Sequence, residues 1–104
     1  MKKKEGLLLA KRFAKALKAE GYPVHELILF GSVAKGVSGT HSDVDIAVIC
    51  DPFLGSRLDE TGRLFWIASH VDDRIEPVCL RPEDLNDKYS TLIREMKNYG
   101  LHVS

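Results

Sequence analysis

Two aspartates, Asp43 and Asp45, stand one residue apart at the head of an apolar run that ends at Cys50. On a β-strand alternate side chains share a face, so both carboxylates would project the same way, a few ångströms apart. Like charges held that close either raise a pKa or recruit a cation, and an all-oxygen pair favours Mg2+ or Mn2+. Either aspartate by itself would be equally well explained as a polar residue capping loop amides. The stretch before them adds a second requirement. Gly31-Ser32 ends the preceding apolar run, and ten residues separate Ser32 from Asp43. A glycine there permits close approach, and the backbone N–H groups with the serine hydroxyl can cradle a phosphate. Carboxylates for a metal and amides for a phosphate are what a nucleoside triphosphate needs.

The elements that must hold these groups can be read from periodicity. Leu9, Phe13, Ala16 and Leu17 recur at helical spacing between Lys4 and Glu20, with lysines on the other face and Gly21 and Pro23 as the stop. His25 to Phe30 reads as a short buried strand cut by Gly31. Gly31, Gly36 and Gly39 space out a loop with one helical turn over Ser32 to Lys35. Val44 to Cys50 is apolar on both faces, so it is expected at the centre of a sheet. Arg57 to Val71 predicts a helix with Leu58, Leu64, Phe65, Ala68 and Val71 inward and Trp66 at the boundary, and Ile75 to Leu80 predicts a third strand. Pro82-Glu83-Asp84 starts a last helix, interrupted near Ser90, along which Leu85, Tyr89, Leu92, Ile93, Met96 and Tyr99 are expected to pack for the most part on the sheet, the alternative for Tyr89, Met96 and Tyr99 being a partner surface. Gly100 closes it and Leu101 to Val103 adds an edge strand. The expected fold is α/β, a small mixed sheet flanked by helices.

Composition bounds the function. The chain has 104 residues, 44% of them hydrophobic, which suits one domain over residues 1–104 with a single core. Net charge is zero, so no global field recruits nucleic acid, although seven of the fifteen Lys and Arg lie between Lys2 and Lys18. Those lysines lie opposite the apolar residues of their helix, with no interleaved aromatics for base stacking, and read as a solvated face. Cys50 and Cys79 each end an apolar run and are read as reduced core residues. The apolar run Leu7 to Ala10 is too short for a leader or a membrane span, so a cytoplasmic location is expected.

Gly-Ser, ten residues, Asp-x-Asp resembles the signature of the polymerase-beta-like nucleotidyltransferase superfamily, and the short chain is similar to its minimal branch. By chance such a pattern would arise in a chain of this size on the order of once in a thousand. The resemblance extends over most of the chain and implies nucleotidyl transfer. In that family the two aspartates bind two metal ions, one holding the triphosphate and one activating an acceptor hydroxyl that attacks the α-phosphorus and releases pyrophosphate. Asp43 and Asp45 match those positions, and Gly31 and Ser32 match the phosphate-binding pair. Lys35 stands where similar proteins carry a basic residue, and would neutralise triphosphate charge. Val33 carries no charge, so a second basic contact is missing there. A third carboxylate comes from a neighbouring strand. Glu76 is the best match, as metal ligand or general base, because a bare charge within an apolar strand is costly. Against this, Glu76 could simply be exposed on an edge strand beside Pro77. Asp72 and Asp73 are rivals whose turn suits solvated acids.

His41 could contact a phosphate, but a lone loop histidine is more simply solvated, and His25, His70 and His102 are scattered. About two dozen residues follow the third strand, too few for an acceptor lobe, so a partner chain or a second copy would have to supply that surface. Minimal nucleotidyltransferases often act beside a helical HEPN-domain toxin, as antitoxins that transfer AMP from ATP to its tyrosine. The resemblance implies that activity here, with ATP as substrate and Mg2+ or Mn2+ as cofactor. The alternatives are the same chemistry on a small-molecule hydroxyl or an RNA end, and a module that neutralises its partner by contact alone.

Overall fold

A computed structural model describes residues 1–37 and 43–103. Gly39 and His41 lie outside the described residues. In chain order the elements are helix α1 (Lys3–Ala19), strand β1 (Val24–Phe30), the short helix α2 (Gly31–Lys35), strand β2 (Val44–Cys50), helix α3 (Arg57–Ser69), strand β3 (Ile75–Leu80), a 3₁₀ turn (Pro82–Asn86), helix α4 (Thr91–Tyr99) and strand β4 (Leu101–Val103). The strands form one mixed sheet in the order β3-β2-β1-β4. β1 runs antiparallel to both β2 and β4, while β2 and β3 are parallel. A parallel pair needs a crossover, and α3 supplies it. β2 is internal, as its two apolar faces require.

Strand alternation divides the core into two layers. Val44, Ile46, Val48 and Cys50 of β2 face Leu9, Phe13 and Leu17 of α1 and Leu64 and Ile67 of α3. Ala47 and Ile49 face the other way, joining Ile28 and Phe30 of β1, Leu80, and Ile93 and Met96 of α4. Asp43 and Asp45 share the odd parity of Ala47 and Ile49, so they belong to the α4 side of the sheet.

Two helices depart from the sequence expectation. Along α3 the buried residues are Glu60, Leu64, Ile67 and Ala68, spaced at four, three and one. Leu58 is 81% exposed and Phe65 44%, and Val71 is only partly buried against the core. Both outward residues sit on the flank opposite that stripe, which a count of apolar residues without the buried Glu60 misplaces. Trp66 is exposed and carries Arg63 over its ring at 5.2 Å. The last helix is interrupted at Ser90, as expected, and what departs is the packing of its tyrosines. Ser90 caps α4 by accepting from the Ile93 amide at 3.2 Å, so the chain restarts there and the preceding turn stays 3₁₀. Met96 is buried, whereas Tyr89 at 91% and Tyr99 at 53% are exposed, contrary to their expected packing on the sheet.

A buried polar junction ties the crossover to the sheet. The Glu60 carboxylate accepts from the amides of Phe53 at 2.8 Å and Leu54 at 3.1 Å and pairs with Arg81, whose guanidinium also reaches the Cys50 carbonyl at 3.4 Å. Burial pushes the Glu60 carboxyl up, but those two amides and Arg81 outweigh it and hold it below the usual carboxylate range. Cys50 and Cys79 are free and buried, as expected, with sulfurs 3.8 Å apart. Burial pushes the Cys50 thiol up to about 12, so it stays protonated.

Candidate functional site

The chain turns from β1 into α2 at Gly31, whose φ of +75° lies in the left-handed region that favours glycine. There is also no room for a side chain: a methyl group on Gly31 would overlap the Asp45 carboxylate. The bend and the strand carboxylate are therefore in direct apposition. Ser32 is half-buried at the start of α2, and Val33 is fully buried. Val33 has no charge because its position is a packing one: a methyl group added to Gly6 of α1 would run into its side chain. That close approach of α1 fixes where α2 sits.

The sheet register assembles the carboxylates. Phe30 pairs with Asp45 across the β1–β2 ladder, and Asp45 pairs with Glu76 across the parallel β2–β3 ladder. Asp43, exposed just before β2, lies near enough to Glu76 for its charge to act on that carboxyl. Burial, then the charges of Glu76, Asp43 and Glu95, push the Asp45 carboxyl up to about 6. Slight desolvation on its strand, then Asp43, raise the exposed Glu76 as well.

Among the described residues no three His, Cys, Asp or Glu side chains form a set that would hold a metal ion as it stands. Among the described residues, the corner gathers carboxylates that raise one another. By donor chemistry it fits a hard divalent ion, since every candidate ligand is a carboxylate oxygen and all lie on one side of the sheet.

Glu76 is exposed and β3 is an edge strand, so burial is no argument for its role. Its place beside Asp45 is the better one. Asp72 is committed elsewhere: it accepts from the Arg74 backbone amide and twice from its guanidinium, each at 2.9 Å, and Arg74 holds it down to about 2. Asp73 is exposed in the turn. Lys35 ends α2 and donates to Glu95 of α4 at 2.7 Å, over the face of Tyr99. Sequence reading missed Glu95. Its signal, an acid and an aromatic four residues apart on a helix, is common on any surface.

A family profile described as a nucleotidyltransferase domain matches residues 10–101. The chain belongs to that family. Solved nucleotidyltransferase-fold structures agree in architecture. A candidate nucleotidyltransferase from Sulfolobus solfataricus superposes with a TM-score of 0.66 at 18% identity, over 96% of this chain and 80% of that one. A toxin–antitoxin complex with AMP-PNP contains a chain at TM-score 0.57 and 23% identity, over 90% of this chain and 70% of that one. A complex of tri-AMPylated Shewanella oneidensis HEPN toxin with an MNT antitoxin matches at 0.52 and 20% identity, covering 93% and 70%. At these identities the likeness is one of fold. No curated protein sequence matches this nucleotidyltransferase domain at a significant level. Among the described residues, no helix is long and apolar enough to cross a membrane.

Proposed function

We propose that residues 1–104 form one minimal nucleotidyltransferase domain that moves AMP from ATP to a tyrosine hydroxyl of a HEPN-type toxin, acting as its antitoxin. The observation that carries the nucleotidyl-transfer part is the ladder register, which sets Glu76 beside Asp45 on the face that Asp43 also shares, directly under Gly31. The choice of acceptor draws on the kinship in fold with toxin–antitoxin chains.

Asp43 and Asp45 would hold Mg2+ or Mn2+, with Glu76 as the third carboxylate. When bound, such ions neutralise triphosphate charge and acidify an acceptor hydroxyl. The chain's own contribution is orientation. Gly31 lets the triphosphate approach the backbone of the bend, the Ser32 hydroxyl and nearby amides donate to its oxygens, and Lys35 adds a positive charge. Glu76, raised by desolvation and by Asp43, can take the proton of the acceptor hydroxyl. Because β3 is an edge strand and Glu76 is exposed, an acceptor on another chain can reach it.

Calorimetric titration of ATP, with Mg2+ and with chelator, tests the site. Wild-type protein should bind only with the metal, and Asp43→Asn with Asp45→Asn should abolish binding while the fold survives. Incubation with a HEPN partner and ATP should then add 5′-AMP to a partner tyrosine, seen by mass spectrometry. Neutralisation of the partner by the double variant would refute catalysis and leave a contact-only antitoxin.

A further inference from the structure

Glu95 is absent from the Gly-Ser and Asp-x-Asp motif, yet it reaches Lys35, the lysine between the two halves of that motif. Its Oε1 lies 2.7 Å from the Lys35 ammonium, and both side chains keep 35% of their surface accessible. The same ammonium sits 4.9 Å from the centre of the Tyr99 ring. Glu95 and Tyr99 are four residues apart, so they share one face of α4 and together hold the end of α2. α4 packs on the sheet face to which Asp45 belongs. The Glu95 charge is felt at Asp45, which places it within electrostatic reach of the site.

Resting on the nucleotide-site reading, we propose that Glu95 is a positioning residue that competes with the triphosphate for Lys35. In the nucleotide-free protein the ammonium is held on α4 between Glu95 and Tyr99. A lysine is a compact charge on a flexible stem, so it can swing from a carboxylate to a phosphate without moving the helix that carries it. Drawing it off has a cost, because Glu95 is left without its cation beside the other carboxylates. Glu95 thereby holds triphosphate affinity below what Lys35 could provide alone, and reclaims the ammonium when pyrophosphate departs.

A double-mutant cycle tests this by calorimetry, with Mg2+–ATP and Mg2+–tripolyphosphate as probes. Glu95→Gln keeps the length and an acceptor oxygen but removes the charge, and should tighten both probes about 3- to 5-fold, the range a partly exposed ion pair supports. Glu95→Ala should move affinity in the same direction, and thermal melting of each variant checks the fold. In a Lys35→Met background the effect of Glu95→Gln should largely vanish. Equal tightening there would mean that Glu95 acts as a bare charge and not through Lys35, overturning the proposal. Unchanged or weaker binding by Glu95→Gln, with wild-type protein binding normally, would also overturn it while leaving the nucleotide site intact. If wild-type protein binds neither probe, the nucleotide-site reading fails and this inference with it.

Discussion

At Asp45 burial and three neighbouring carboxylates act in the same direction, placing its folded pKa at about 6 against an ordinary 3.8. A raised acid pKa means that the folded state resists the charged form. The resulting penalty is full above about 6 and disappears below the ordinary value, where the carboxyl is protonated folded or unfolded. Asp45→Asn should therefore stabilise the metal-free protein at about pH 8 by about 1–2 kcal/mol, a range already reduced for partial solvent screening. Near pH 3.5 it should gain nothing, and denaturant titrations at the two pH values check the difference. Equal stabilisation at both would mean that packing, not charge, sets the effect. The same residue shows what sequence could convey. Asp43, Asp45, Gly31 and Ser32 are legible because they lie within fifteen residues, at a spacing that a strand and a bend translate directly into proximity. Glu76 is singled out in the sequence by a weaker route, its supposed burial, whereas its place beside Asp45 follows from register.

Between elements, the junction of α3 with the ends of β2 and β3 rests on Glu60 and Arg81, twenty-one residues apart. Neither draws attention in the sequence, since a Glu in a helix and an Arg after a strand are ordinarily surface residues. Only the crossover brings them together and buries them. Breaking such a pair strands a desolvated charge, so Arg81→Met should cost about 3–5 kcal/mol in chemical denaturation. Glu60→Gln on top of Arg81→Met should recover part of that loss, because the orphaned charge is then gone. No recovery would mean that Arg81 stabilises chiefly through its contacts with Cys50 and Cys79. The two outward residues of α3, Leu58 and Phe65, make the complementary point. Apolar periodicity identified the helix but not its phase, because one position of the inward stripe is a charged residue satisfied by amides from the loop.

For the molecule as a whole, the proposed site couples ligand binding to stability. Carboxylates that repel one another in the free protein gain a counter-charge when a divalent ion and triphosphate bind. Anything that binds the folded state alone stabilises it by mass action, about 2.7 kcal/mol at a hundredfold excess over Kd. Mg2+–ATP should therefore raise the melting temperature of the wild-type protein by several degrees, and chelator should reverse the shift. Asp43→Asn with Asp45→Asn should show no shift in differential scanning fluorimetry. A shift that persists in this variant would place the nucleotide elsewhere.

By itself the sequence determined the order of elements, the central place of β2 and the bend that faces the paired aspartates. All of these depend on local spacing and on apolar runs a few residues long. Tertiary structure decided which carboxylate stands beside Asp45, that Asp72 is spent on Arg74, that Lys35 is shared with Glu95, and which flank of α3 is buried. Each of these turns on strand register or helix phase between segments distant in the chain. A shift of one residue would change the partner without altering the pattern that the sequence displays.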